Sequence, residues 1–87
     1  MKARKEYRIV HMTNLGRPND PDSYQVFERL ADAEWRQAYV IRARSAQEAR
    51  FRLEVAFGLR MGTKPLRENV CEEDPNLRET EYMGYAT

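Results

Sequence analysis

The sequence predicts an α+β fold: a small, mainly antiparallel β-sheet of three to five strands packed on one principal α-helix at about 46–57. Three observations predict it. Ala38–Gly58 reads as a strand feeding directly into a capped helix. Elsewhere apolar residues recur at every second position in short runs, divided by clusters of Gly, Pro, Asn and Asp. The chain has 87 residues, 41% apolar and 33% charged, which suits one small core and a largely ionic surface in a single domain, 1–87.

Lys5–Thr13, KEYRIVHMT, predicts the first strand. Tyr7, Ile9, Val10 and Met12 put apolar side chains on both faces, as in a central strand. Asn14–Ser23, NLGRPNDPDS, is a loop by its turn chemistry, long enough to carry contacts. Tyr24–Ala31 reads two ways. By threes and fours, Tyr24, Phe27, Leu30, Ala31 and Trp35 make a helix stripe, giving a second helix over 22–34 with Asp22 or Ser23 as its cap. By twos, Tyr24, Val26 and Leu30 share a strand face, and Asp32-Ala33-Glu34 turns back into the next strand. The hairpin is preferred, because a short antiparallel partner is the simplest connection to a strand opening at Trp35.

In Trp35–Ala43 the apolar residues Trp35, Tyr39, Ile41 and Ala43 alternate, broken by Gln37; Arg36, Ala38, Val40, Arg42 and Arg44 take the other face. Ser45 and Glu48 have capping-box spacing, and Gly58 suits a left-handed helix stop. Between them Ala46, Ala49, Leu53, Ala56 and Phe57 fall in an arc of about 100°, a core stripe. Phe51 and Val55 lie nearly opposite it. Either another segment covers them or they are a contact surface. After Gly58, LRMGTKP reads as a loop punctuated by Gly62 and Pro65. Leu66–Glu72 is a weak strand, Asp74-Pro75-Asn76 a turn, and Leu77–Tyr85 a last strand with Glu79, Glu81, Met83 and Tyr85 opposite Thr80 and Tyr82.

The net charge of +1 hides an asymmetry. Residues 1–35 balance to zero; residues 36–67 hold eight basic and two acidic side chains, +6; residues 68–87 hold one basic and six acidic, −5. Either the acidic end folds back over the basic centre, or the two patches meet charged partners. Twelve of the fifteen cations are Arg, the residue of bidentate contacts. The single cysteine, Cys71, leaves no internal disulfide or cysteine zinc site. MKARKEYRIV lacks the apolar region of a signal peptide, and no 18-residue apolar run occurs. The expected location is the cytoplasm, with no membrane contact.

Catalytic chemistry finds little to build on. His11 is the only histidine, mid-strand, with no nucleophile near it in sequence. Ser45 is a helix cap. Cys71 is flanked by carboxylates rather than by the cations that activate a thiol. Glu72-Glu73-Asp74 lacks the spacing of a calcium loop, and Gly16 and Gly62 belong to no phosphate-binding motif. A non-enzymatic protein without cofactor or metal is expected. Binding has more support. Arg36, Arg42 and Arg44 line the polar face of the central strand, Arg50 and Arg52 extend it onto the helix, and Phe51 and Val55 add apolar surface. These seven are the candidate partner-binding residues. A nucleic acid could stack on Tyr39 and Phe51, but a sequence pI of 7.9 is low for a dedicated binder.

The run Ala43-Arg44-Ser45-Ala46-Gln47-Glu48-Ala49, A-x-S-x-x-E-A after an antiparallel strand, resembles small phage-encoded accessory proteins of the anti-CRISPR type over about 25 of the 87 residues. The resemblance implies a non-catalytic inhibitor docking on a larger protein or nucleoprotein complex, in a bacterial host cell, and carries over no functional residue. A small nucleic-acid-binding regulator, a non-catalytic subunit of a bacterial enzyme complex and a homodimer remain open alternatives.

Overall fold

In a computed structural model, residues 4–87 are described, so the first three residues of MKARKEYRIV lie outside them. The chain order is β1 (Lys5–Asn14), β2 (Asp22–Leu30), β3 (Arg36–Ala43), α1 (Ala46–Phe57), β4 (Leu59–Val70) and β5 (Leu77–Ala86). Five antiparallel strands form one sheet in the order β3-β2-β1-β5-β4. The α+β class holds, with one helix packed on one sheet. Tyr24–Leu30 is strand, so the hairpin reading stands and the 22–34 helix does not form. Its alternating burial explains why: Tyr24, Val26 and Glu28 are buried and the residues between them are not. A helix would have turned Val26 to the side opposite Tyr24 and Glu28.

β1 sits in the middle, between β2 and β5, as its two apolar faces require. β3 and β4 are the edges, and α1 connects them. β3 ends at Ala43, in register with Asp22 and hence Thr13; β4 begins at Leu59, opposite Ala86. The helix therefore runs diagonally from one corner of the sheet to the opposite one. Burial follows the diagonal. In β3 only the late residues Ile41 and Ala43 are buried; in β4 only the early residues Leu59 and Met61. The core gathers these four with Ile9, Tyr24, Val26, Ala49 and Leu53.

Two glycines are required, one for its backbone conformation and one for space. Gly58 stops α1 at φ 63°, and its N–H donates to the carbonyls of Glu54 and Leu53. Gly84 lies opposite Tyr7, where a Cβ would come within 2.8 Å of the Tyr7 Cβ. At the other end of α1 Ser45 caps the helix, and Glu48 reaches back one residue beyond the cap. Glu48 N–H donates to Ser45 Oγ at 3.1 Å, and Glu48 Oε2 accepts from the Arg44 N–H at 3.1 Å.

Three expectations are corrected. The LRMGTKP loop is the first half of β4. Gly62 and Pro65 lie inside that strand, with register shifts on both sides of Pro65, as an edge strand tolerates. The helix stripe is narrower than the predicted arc: Ala49 and Leu53 are buried and Phe57 half-buried against Tyr39, ring centroids 4.1 Å apart, whereas Ala46 and Ala56 are exposed. A methyl group on a flank does not reach the sheet; a phenyl ring does. Trp35 leaves the face of Tyr39, Ile41 and Ala43. The pairing steps from Val26↔Tyr39 to Phe27↔Gln37, skipping Ala38. That bulge reverses every side chain before it, so Trp35 lies over Arg8 and Arg29 (ring centroid to guanidinium carbon 5.0 and 4.6 Å) on the face away from α1.

Candidate functional site

The bulge also decides where Arg36 goes. Instead of joining Arg42, it turns toward Glu28, which accepts from its Nε at 3.2 Å and its Nη2 at 2.9 Å, while Lys5 Nζ lies 3.2 Å from the other carboxylate oxygen. Glu28 is the one buried charged residue among those described. Burial alone would raise its pKa; the hydrogen bonds and charges of Lys5 and Arg36 outweigh this and hold it below its ordinary value. Arg36 is thus occupied in a structural ion pair. Arg50 is also withdrawn: it is half-buried, and its Nε is shielded from solvent without a partner.

Of the remaining five predicted residues, Arg44, Phe51, Arg52 and Val55 share one flank and Arg42 does not. Phe51 and Val55, one turn apart on α1, are 67% and 70% exposed, the two most exposed large apolar side chains described. No described residue covers them. Beside them Arg52 reaches from α1 to the edge strand, its Nη1 donating to the Arg42 carbonyl. Arg44, between strand and helix, donates from Nη1 to the Asn19 carbonyl at 2.9 Å and so ties the 15–21 loop to the helix start. Arg42 pairs with Ser23, which pairs with Met12, and so its side chain lies on the sheet face away from α1. The exposed apolar pair is bordered on the helix by Glu48 and Glu54 as well as Arg52, with Arg44 at the helix start.

The acidic end does not neutralise this flank. Among the described residues, its ion pairs are those of Glu81 with Arg8 and Arg67, at 3.9 and 3.8 Å. Glu68, Glu72 and Glu73 are exposed at the β4 side, four strands away from β3. The charge asymmetry of the sequence survives folding.

One polar cluster was not foreseen. His11 Nε2 lies 2.7 Å from Asp22 Oδ2 and 3.1 Å from Thr13 Oγ1, and the Thr13 hydroxyl donates to Asp22 Oδ2 at 3.0 Å. The imidazole stacks on Tyr24, centroids 4.3 Å apart and rings 6° from parallel. Burial first, then the Asp22 charge, pushes the Tyr24 phenol up to about 12. A nucleophile relay places the hydroxyl and the carboxylate on opposite nitrogens of the imidazole. Here both converge on Nε2, and the hydroxyl proton is directed at the carboxylate. The cluster fastens β1 to β2. Only the strand register brings Asp22 beside residues 11 and 13, so no local spacing announces it.

Among the described residues, no group of three or more His, Cys, Asp or Glu side chains is placed to hold a metal ion, and no helix is long and apolar enough to cross a membrane. Comparison with protein-family models, characterised proteins and solved structures finds no significant match.

Proposed function

We propose that this protein is a non-catalytic binding protein that docks on a larger protein or nucleoprotein complex through the outer face of α1. The observation that carries this reading is the exposure of Phe51 and Val55, 67% and 70%, on an ordered helix that also carries Arg52 and begins beside Arg44. An exposed aromatic side chain beside an arginine is the composition of an interface anchor. The flank is of mixed charge, Arg44 and Arg52 with Glu48 and Glu54, and suits a protein surface with an apolar notch and a polar rim. Stoichiometric inhibition, as in the phage-encoded proteins that the 43–49 run resembles, is the action such docking would support.

The test is capture from a bacterial lysate, with and without nuclease, by the parent and by Phe51→Ala. Nuclease-resistant capture that weakens at least tenfold in the variant is expected, since a truncated anchor costs about 2 kcal/mol or more. The melting curve should stay unchanged, because the ring is exposed. Capture abolished by nuclease, or equal capture by both proteins, would overturn the reading. The nucleic-acid alternative draws on the same arginines. It would show as binding that falls steeply with salt and depends on Arg44 and Arg52 more than on Phe51.

A further inference from the structure

The two edges of the sheet differ. On β4, Pro65 has no N–H to offer and register shifts flank it, devices that keep an edge from pairing. β3 instead runs in regular register from Tyr39 to Ala43, beyond its bulge at Ala38. The first hairpin sets its hydrogen-bonding phase. The Ala31 N–H donates to the Arg4 carbonyl at 2.8 Å, so Arg29, Phe27, Gln25 and Ser23 bond in turn to β1. Tyr24 and Val26 between them bond to Ile41 and Tyr39. Val40 and Arg42 therefore point their N–H and carbonyl groups away from the sheet. Arg52 Nη1 already uses one of these groups, donating to the Arg42 carbonyl.

This edge also carries charge of one sign. Trp35–Ser45 holds Arg36, Arg42 and Arg44 and no carboxylate. The carboxylates of β2 and of the helix start are engaged: Asp22 with His11 and Thr13, Glu28 with Lys5 and Arg36, Glu48 with the Arg44 N–H. Among the described residues, no carboxylate forms an ion pair with the Arg42, Arg44 or Arg52 guanidinium. Val40, 48% exposed, lies two residues before Arg42 on the face away from α1. We propose that the β3 edge takes up an extended acidic segment of a partner protein as an added antiparallel strand. An apolar side chain of that segment lies beside Val40 and a carboxylate beside Arg42. One of its backbone N–H groups replaces Arg52 at the Arg42 carbonyl, which releases that guanidinium to a second carboxylate. A second β3 would bring only further arginines. The proposal rests on the reading of this chain as a binding protein and adds a contact surface beside the outer face of α1.

Amide hydrogen exchange followed by nuclear magnetic resonance tests it, with the synthetic peptide Thr-Glu-Glu-Thr-Val-Thr in excess. The Val40 and Arg42 amides should exchange freely in the chain alone and slow at least tenfold with the peptide, whereas the Ile41 amide is protected in both. The peptide with lysine in place of glutamate, and the peptide methylated on its backbone nitrogens, should give no protection. Arg42→Glu should weaken peptide binding about tenfold. Val40→Pro, which removes an outward N–H and no ladder bond, should abolish it with the circular dichroism spectrum unchanged. Unaltered exchange at Val40 and Arg42, equal protection by the lysine peptide, or amides already protected through self-association would overturn the proposal. Lysate capture that depends on Phe51 without peptide-induced protection would remove the added strand and leave docking through α1 standing. Peptide-induced protection in a chain whose capture ignores Phe51 would do the reverse.

Discussion

Leu53 is fully buried between α1 and the sheet, with Ile9, Tyr24 and Val26 among the core side chains around it. Leu53→Ala should cost about 2–5 kcal/mol in urea unfolding, through lost burial and the cavity left behind. An unchanged midpoint would mean the helix does not sit on this face. Glu28 makes a prediction about acid. Its folded pKa lies below the ordinary 4.5, so the unfolded chain takes up the proton first as pH falls. Its contribution is therefore present above about 4.5 and is lost as pH drops through the lower folded value. Stability followed from pH 7 to pH 3 should decline less steeply in Glu28→Gln than in the parent; equal slopes would show that the ion pairs with Lys5 and Arg36 contribute nothing. Individual residues were also where the sequence said most about exposure. The opposition of Phe51 and Val55 to Leu53 follows from 100° per residue alone. The convergence of His11, Thr13 and Asp22 does not, because it depends on which residue of β2 lies against which residue of β1.

The Ser45 cap should be worth about 0.5–2 kcal/mol, read as the loss in Ser45→Ala by chemical denaturation; lysate capture by that variant should be intact. A defect in binding without loss of stability would make Ser45 a contact residue. The bulge at Ala38 offers a sharper test of β3. Deleting Ala38 removes the extra residue and leaves Phe27↔Gln37 and Glu28↔Arg36 as they are, so Trp35 and Arg36 keep their present faces. The Arg8–Trp35–Arg29 stack and the Arg36–Glu28 pair should both survive. The variant should melt within a few degrees of the parent, with about 4–8 °C corresponding to each kcal/mol in a domain of this size, and its tryptophan emission should be unchanged. A shifted emission would show that Ala38 is not the residue at which the register steps. At this scale the strand–cap–helix unit was legible because cap, stripe and stop all act within a few residues. β4 was misread because Gly62 and Pro65 break strands in general but not at an unpaired edge. The cue that outweighed them was the alternation of Leu59 and Met61, both of which enter the core.

For the whole molecule, composition and periodicity were sufficient for the class and for a central β1, while the sheet order was out of reach, since no local signal says that β5 inserts between β1 and β4. That insertion has a consequence in time. β5 is the last strand in chain order, yet it holds together two parts that do not otherwise pair: the β1–β2–β3 meander and the β4 edge. On the ribosome, the meander and α1 can emerge and collapse, but β4 has no strand to pair with until residues 77–86 have also left the exit tunnel. Until then the inward edge of β1 remains open to any extended segment nearby, including a β5 from a neighbouring nascent chain. Translation speed across residues 77–86, and the crowding of polysomes, would then govern how much chain reaches the native sheet and how much is lost to strand exchange.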